Sequence, residues 1–149
     1  MAHTENREPA DPRGETLKAI LVAQIGVCRE ILEATRAAAL AADALDIPGI
    51  EAAMARRGRA LGELEHLEAE ADELRGQDFA PPPLLAEHLA ALSDLTVRIR
   101  QADAEARCAA ERAQEEIQRR VRELQRGRRG LAGYRGPTDP TPRFADRKG

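Results

Sequence analysis

Aromatic and β-branched residues are scarce in this chain of 149 residues. Its only aromatic side chains are Phe79, Tyr134 and Phe144. Because β-sheets are normally filled by aromatic and β-branched residues, this composition argues against a sheet protein. Alanine and leucine dominate instead, with 29 and 16 residues, and both are strong helix formers. The composition therefore predicts an all-α fold.

Long apolar runs are also missing. No stretch approaches the roughly 18 to 20 uninterrupted apolar residues that a membrane-spanning helix needs. The first 11 residues carry three acidic side chains and no apolar core, which is unlike a secretory signal peptide. From these two absences we predict a soluble, cytoplasmic protein.

The residue patterns that accompany catalysis or metal binding are absent from the sequence. Cys28 and Cys108 stand alone, with no CxxC or CxxH spacing, and are predicted to be buried thiols. His3, His66 and His88 belong to no zinc or di-iron motif, and no phosphate-binding or dinucleotide-binding glycine loop occurs. We therefore predict no metal, no cofactor and no enzymatic activity.

Apolar residues recur at alternating spacings of three and four along three segments, as expected for helices with one buried face. The patterns predict helices at about 15–45, 47–75 and 83–130, with Asp46 capping the second and the prolines at 81–83 separating it from the third. Residues 1–14 and 132–149 are rich in helix breakers, and we expect a disordered arm and a flexible basic tail. The predicted architecture is an elongated antiparallel three-helix bundle or coiled coil, 15–131, with a long C-terminal helix.

The periodicity also predicts which residues face the core. In the first helix these are Leu17, Leu21, Gln24, Cys28, Ile31, Thr35, Ala38, Ala42 and Leu45, and in the second Ile50, Met54, Arg57, Leu61, Leu64, Leu67, Ala71 and Leu74.

The third helix is predicted to be longer than its neighbours can cover. At a rise of 1.5 Å per residue it reaches roughly 70 Å, whereas the first two helices reach roughly 45 Å each. Antiparallel packing would then cover the third helix only to about residue 112. Apolar residues nevertheless continue beyond that point, so we expect another protein or another copy of the chain to cover them. The predicted partner-binding residues are Ala113, Ile117, Val121, Leu124, Leu131 and Tyr134.

Charge is distributed unevenly along the chain. Residues 119–149 hold ten basic and three acidic residues, a sum of +7, so the remaining 118 residues sum to −10. Arg120, Arg128 and Arg129 are candidates for the electrostatic guidance of an acidic partner. The same arginines leave open phosphate binding or an interaction with the helix dipole. An acidic run at 63–73 is either a docking surface or a solvated helix face.

The order of these elements resembles a known family. The features that carry the resemblance are an Asp46-initiated second helix with Ile50, Met54, Arg57 and Leu61, a proline-bearing break, a long third helix ending in Arg-Gly-Arg-Arg-Gly-Leu-Ala-Gly-Tyr134, and a closing Arg-Phe144-Ala-Asp-Arg-Lys-Gly149. Together they resemble the small flagellar type III export chaperones of the FlgN and FliT type.

The resemblance implies a non-enzymatic chaperone in bacterial flagellum biogenesis. Such a protein holds hook-associated or filament-cap subunits unpolymerised and delivers them to the export apparatus, gripping the terminal helix of the export substrate with its own C-terminal helical region. In this sequence that region corresponds to Ile117, Val121, Leu124, Leu131 and Tyr134. Two other interpretations remain open: a homodimeric coiled-coil protein and a nucleic-acid-binding regulator with a basic tail. A monomer and a homodimer are both compatible with the sequence.

Overall fold

The computed structural model describes residues 11–76 and 82–134. In this part of the chain it contains α1 (Pro12–Asp43), α2 (Ile47–Arg75), a 3₁₀ turn (Pro83–Leu85) and α3 (Ala86–Tyr134), with no strand. The all-α prediction is confirmed, and the three helices pack against one another. Residues 1–10 of the predicted arm (1–14), residues 77–81 of the break and residues 135–149 of the predicted tail (132–149) lie outside the described residues, whereas 12–14 and 132–134 are helical.

Both outer helix ends differ from their predicted positions. α1 begins at Pro12 rather than at about 15, because the carboxylate of Asp11 accepts a hydrogen bond of 3.0 Å from the backbone N–H of Arg13 and proline is favourable in a first turn. α3 ends at Tyr134 rather than at about 130, and it passes through Gly130 and Gly133. Glycine weakens a helix by about 1 kcal/mol relative to alanine but does not interrupt its hydrogen bonds.

A three-residue connection turns the chain from α1 into α2. The backbone of Leu45 takes the left-handed conformation, with φ of 56°, which is unusual for a leucine. Asp46 then caps α2, and its carboxylate accepts a hydrogen bond of 3.1 Å from the N–H of Gly49. A side chain at Gly49 would collide with that carboxylate, so glycine is required for the cap to close. The cap predicted at Asp46 is thus present.

Four overlapping clusters of buried side chains form the core of residues 11–113 and define an up-down-up arrangement. At one end Leu17 packs with Ala71 and Leu85, and at the other Ala42 packs with Ala109. Between them Cys28 packs with Leu95. Residue numbers of α1 and α3 rise together from cluster to cluster, from Cys28 with Leu95 to Ala42 with Ala109, so the two helices run in the same direction.

The predicted core face is correct for α1 and partly wrong for α2. Eight of the nine residues predicted for the core face of the first helix are buried. The ninth, Leu45, lies in the connection after α1 and is half-buried. In α2 Ala71 is buried as predicted, and the other predicted aliphatic residues are half-buried against the core, but Met54 is exposed. Ala53 and Ala60 are buried although the pattern did not predict them. Small side chains let the α2 backbone approach α1 closely, which leaves the longer methionine at the edge of the contact.

The two cysteines also differ from each other. Cys28 is buried as predicted, and burial, reinforced by the negative charge of Glu68, raises the pKa of its thiol. Cys108 is exposed, which corrects the prediction that both thiols are buried. It directly precedes Ala109, so it lies about 100° round the helix from that buried residue.

Two arginines of α2, Arg56 and Arg57, make polar contacts to neighbouring helices. The guanidinium of Arg57 donates to the hydroxyl of Thr35 in α1 at 3.1 Å and to the carboxylate of Asp103 in α3 at 3.0 Å. Arg57 thereby links all three helices, and its side chain is half-buried. On the outer side Arg56 forms an ion pair with Glu30, whose pKa is lowered chiefly by this hydrogen bond.

We expect replacement of Arg57 to destabilise the fold. Arg57→Ala leaves Asp103 and Thr35 without their shared donor, and we expect a loss of about 2 kcal/mol in the free energy of unfolding, the size typical of hydrogen bonds to charged groups. The measurement is urea unfolding followed by circular dichroism. Arg59→Ala, an exposed arginine of the same helix, is the control and should change stability little. Equal effects of the two substitutions would refute a linking role for Arg57.

We also expect the alanine contact between α1 and α3 to be intolerant of larger side chains. Ala109 is 1% exposed and packs against Ala42, whereas its neighbour Ala110 is exposed. Ala109→Leu should lower the free energy of unfolding by about 1 to 3 kcal/mol through overpacking. Ala110→Leu adds the same side chain on the solvent side and should leave the thermal midpoint nearly unchanged.

Candidate partner-binding face of α3

Burial along α3 ends abruptly. The buried residues of this helix are Leu95, Ala102, Ala109 and Ala113. The chain divides into two compact units, of which the first ends at Ala113 and the second begins at Gln114. In the described part of the second unit, residues 114–134, no residue is buried. Any apolar side chain of this segment is therefore open to solvent.

Four large aliphatic residues share one face of this segment. Ile117, Val121, Leu124 and Leu131, here named the C-terminal stripe, fall within about 80° of arc at 100° per residue. Their exposed fractions increase from 41% at Ile117 to 71% at Leu131. An exposed row of large aliphatic side chains on one helix face is typical of a protein-interaction surface.

Two of the residues predicted to bind a partner lie elsewhere. Ala113 is only 8% exposed and packs with Ala42 and Ala109, so it belongs to the core, and its predicted role in partner binding is wrong. The first unit simply extends one residue beyond the predicted limit of 112. Tyr134 is 94% exposed but lies about 60° further round the helix than Leu131, at the edge of the stripe.

The three arginines predicted to guide a partner occupy different faces. Arg128 lies within the C-terminal stripe, four residues after Leu124 and three before Leu131. Arg120 borders the stripe, about 60° round the helix from Ile117. Arg129 lies about 120° round the helix from Ile117 and is therefore outside the stripe. Arg120 and Arg128 are thus placed beside a partner that covers the stripe, and Arg129 is not.

A shallow groove of about 520 Å³ lies along the stripe. It is lined by Arg120, Glu123, Leu124, Gly127, Arg128 and Leu131. Gly127 has no side chain, and, apart from those of its two chain neighbours, no side-chain atom lies within 4 Å of the point where a Cβ would be. The groove therefore has room for a side chain of a partner between Leu124 and Leu131.

Carboxylates beside the stripe are already engaged. Glu116 accepts hydrogen bonds from Arg119 at 2.7 Å and from Arg120 at 2.8 Å, and Arg119 also donates to Glu123 at 2.8 Å. The hydrogen bonds from Arg119 and then Arg120 lower the pKa of Glu116 to about 2. In contrast, Arg128 forms no ion pair with any residue in the described ranges. The sequence periodicity gave no indication of this difference between the arginines.

Residues 11–76 and 82–134 contain no group of three or more histidine, cysteine, aspartate or glutamate side chains that could hold a metal ion. None of the described helices has an apolar stretch that could cross a bilayer. The acidic residues of the run at 63–73 are all exposed on α2. Comparisons of the chain with protein-family models, with curated proteins and with solved structures found no match.

The ion pairs of Glu116 predict a pH dependence of α3. Because its pKa in the folded chain lies below the ordinary value of 4.5, the stabilisation is complete above about pH 4.5 and is lost as the pH falls toward 2. We expect a carbon-detected NMR titration of the Glu116 carboxyl group to give a midpoint near 2. In an Arg119→Gln, Arg120→Gln double variant the midpoint should move toward 4.5. An unchanged midpoint would show that these arginines do not hold the carboxylate in solution.

Proposed function

We propose that this protein is a cytoplasmic export chaperone. It binds the amphipathic terminal helix of a flagellar hook-associated or filament-cap subunit, keeps that subunit unpolymerised and delivers it to the export apparatus. The C-terminal stripe is the observation that supports this proposal, since Ile117, Val121, Leu124 and Leu131 are exposed on one helix face. The family resemblance of the sequence supplies the class of partner.

The stripe has the spacing that a partner helix requires. From Ile117 the steps to Val121, Leu124, Arg128 and Leu131 are four, three, four and three residues, which is the repeat of a two-helix seam. A partner helix laid along this seam buries its own apolar face, which would otherwise drive polymerisation. Burial contributes about 25 cal/mol per Å² of apolar surface, and the cost of ordering both partners offsets much of it. Binding is therefore reversible, as delivery requires.

The first unit provides a folded domain that does not depend on the stripe. Its four clusters of buried residues lie between Leu17 and Ala113 and include no residue of the stripe. A polar substitution in the stripe should thus affect partner binding without unfolding the core. This separation makes the proposed function testable by mutation.

The experiment measures light-scattering mass of the purified chain alone and after mixing with hook-associated and filament-cap subunits. We expect a stoichiometric complex with one of these subunits. Val121→Asp should abolish the complex, because a carboxylate would be buried at the seam. Its circular dichroism spectrum should remain close to that of the unmodified chain.

Gly130→Asp is the matched control. It introduces the same charge nine residues later, about 180° round the helix from Val121, and should retain binding. Loss of binding in both variants would assign the effect to charge rather than to the stripe.

A stable dimer that binds none of these subunits would favour the homodimeric coiled coil. Binding to any duplex that weakens steeply with salt would favour the nucleic-acid regulator.

A further inference from the structure

The seam that contains the stripe includes a basic residue but no acidic one. Arg128 occupies a central seam position, and the positions on either side of the seam are Gln118, Arg120, Gln125, Gly127, Ala132 and Tyr134. The acidic residues between 114 and 134 are Glu115, Glu116 and Glu123. Each of them lies about 100° or more from Ile117.

This distribution of charge makes a second copy of the chain a poor partner for the C-terminal stripe. In a parallel, in-register pair of stripes, Arg128 would face Arg128 of the other copy, and like charges there are destabilising. No register of two stripes, parallel or antiparallel, places a carboxylate at a seam or flanking position. Glu123 lines the same groove as Arg128 but is already hydrogen-bonded to Arg119. The guanidinium of Arg128 would therefore be desolvated without a carboxylate of its own, which is strongly unfavourable.

Charge complementarity instead favours an acidic partner. Residues 114–134 hold six arginines and three glutamates, a sum of +3. Glu116 and Glu123 are hydrogen-bonded to Arg119, while Arg128 is exposed and has no ionic partner among the described residues. Its guanidinium can bind a carboxylate with two parallel hydrogen bonds. The groove at Gly127 leaves room for that carboxylate.

We infer that the C-terminal stripe is occupied by a helix of a different protein that presents a carboxylate to Arg128 from within its apolar face. Arg128 is then the residue that sets the register of the two helices and discriminates against self-pairing. The inference rests on the proposed function only in that the stripe binds a partner helix. It adds the charge that the partner must carry at one position.

The test uses the full chain and synthetic amphipathic peptides of about three heptads, with a leucine seam and neutral flanks. One central seam position holds glutamate in the first peptide and lysine in the second. Fluorescence anisotropy of labelled peptides gives the two dissociation constants. We expect the glutamate peptide to bind at least about tenfold more tightly. With Arg128→Glu the preference should reverse.

Arg126→Glu is the matched control, since it makes the same charge change on the opposite face of α3. It should retain the preference for the glutamate peptide. If Arg126→Glu and Arg128→Glu alter the preference equally, net charge explains it and the inference is wrong. If both peptides bind with equal affinity, Arg128 does not discriminate, although a helix-binding stripe remains. If neither peptide binds, the inference and the helix-binding mechanism of the proposed function both fail.

A second measurement examines self-pairing. Arg128→Leu completes the apolar seam from Ile117 to Leu131, so we expect sedimentation equilibrium to show a dimer at concentrations where the unmodified chain is a monomer. Val121→Asp added to Arg128→Leu should restore the monomer. An unmodified chain that is already a dimer, and that Val121→Asp converts to a monomer, would overturn the inference.

Discussion

Two clusters of buried residues, one with Cys28 and Leu95 and the other with Ala42 and Ala109, set the register between α1 and α3 on which the rest of the structure depends. The same register brings Arg112 within 2.9 Å of Asp43, the last residue of α1. Since α1 ends there, it offers α3 no further apolar side chain to pack against. The last buried residue of α3 is accordingly Ala113. The length of α1 thus determines how much of α3 belongs to the core.

Alanine contacts alone specify such a register weakly. Each buries little surface, and one alanine resembles the next at a shift of one turn. Arg57 makes the register specific, because its hydrogen bonds to Thr35 and Asp103 form only at one alignment of the three helices. A slide by one helical turn would leave Asp103 without its donor. A polar contact of this kind complements an apolar core made largely of small side chains.

The sequence predicts the fold well where periodicity is strong and less well where packing decides. The α1 core face was predictable because large residues such as Leu17, Leu21 and Ile31 carry its pattern. In α2 the hydropathy pattern favours Met54, whereas close helix packing selects Ala53, and only the three-dimensional contact distinguishes them. Likewise, periodicity locates the C-terminal stripe but cannot show that Ala113 is buried or that Arg119 and Arg120 engage Glu116. Those features depend on neighbouring helices and on rotamers.

The side chains on this face of α3 become larger at the point where burial ends. Their size indicates which kind of helix can cover the C-terminal stripe. The buried face of α3 uses Ala102, Ala109 and Ala113, which permit close approach of the α1 backbone. The face then continues with Ile117, Val121 and Leu124, which hold a neighbouring helix further away. Large aliphatic residues with one arginine among them suit a separate helix with its own spacing and a facing carboxylate. A second copy of the C-terminal end of α1, where Ala34, Ala38 and Ala42 are the buried apolar residues, would pack loosely against them. The composition of the stripe therefore favours a partner of different sequence over a repeat of the intrachain contact.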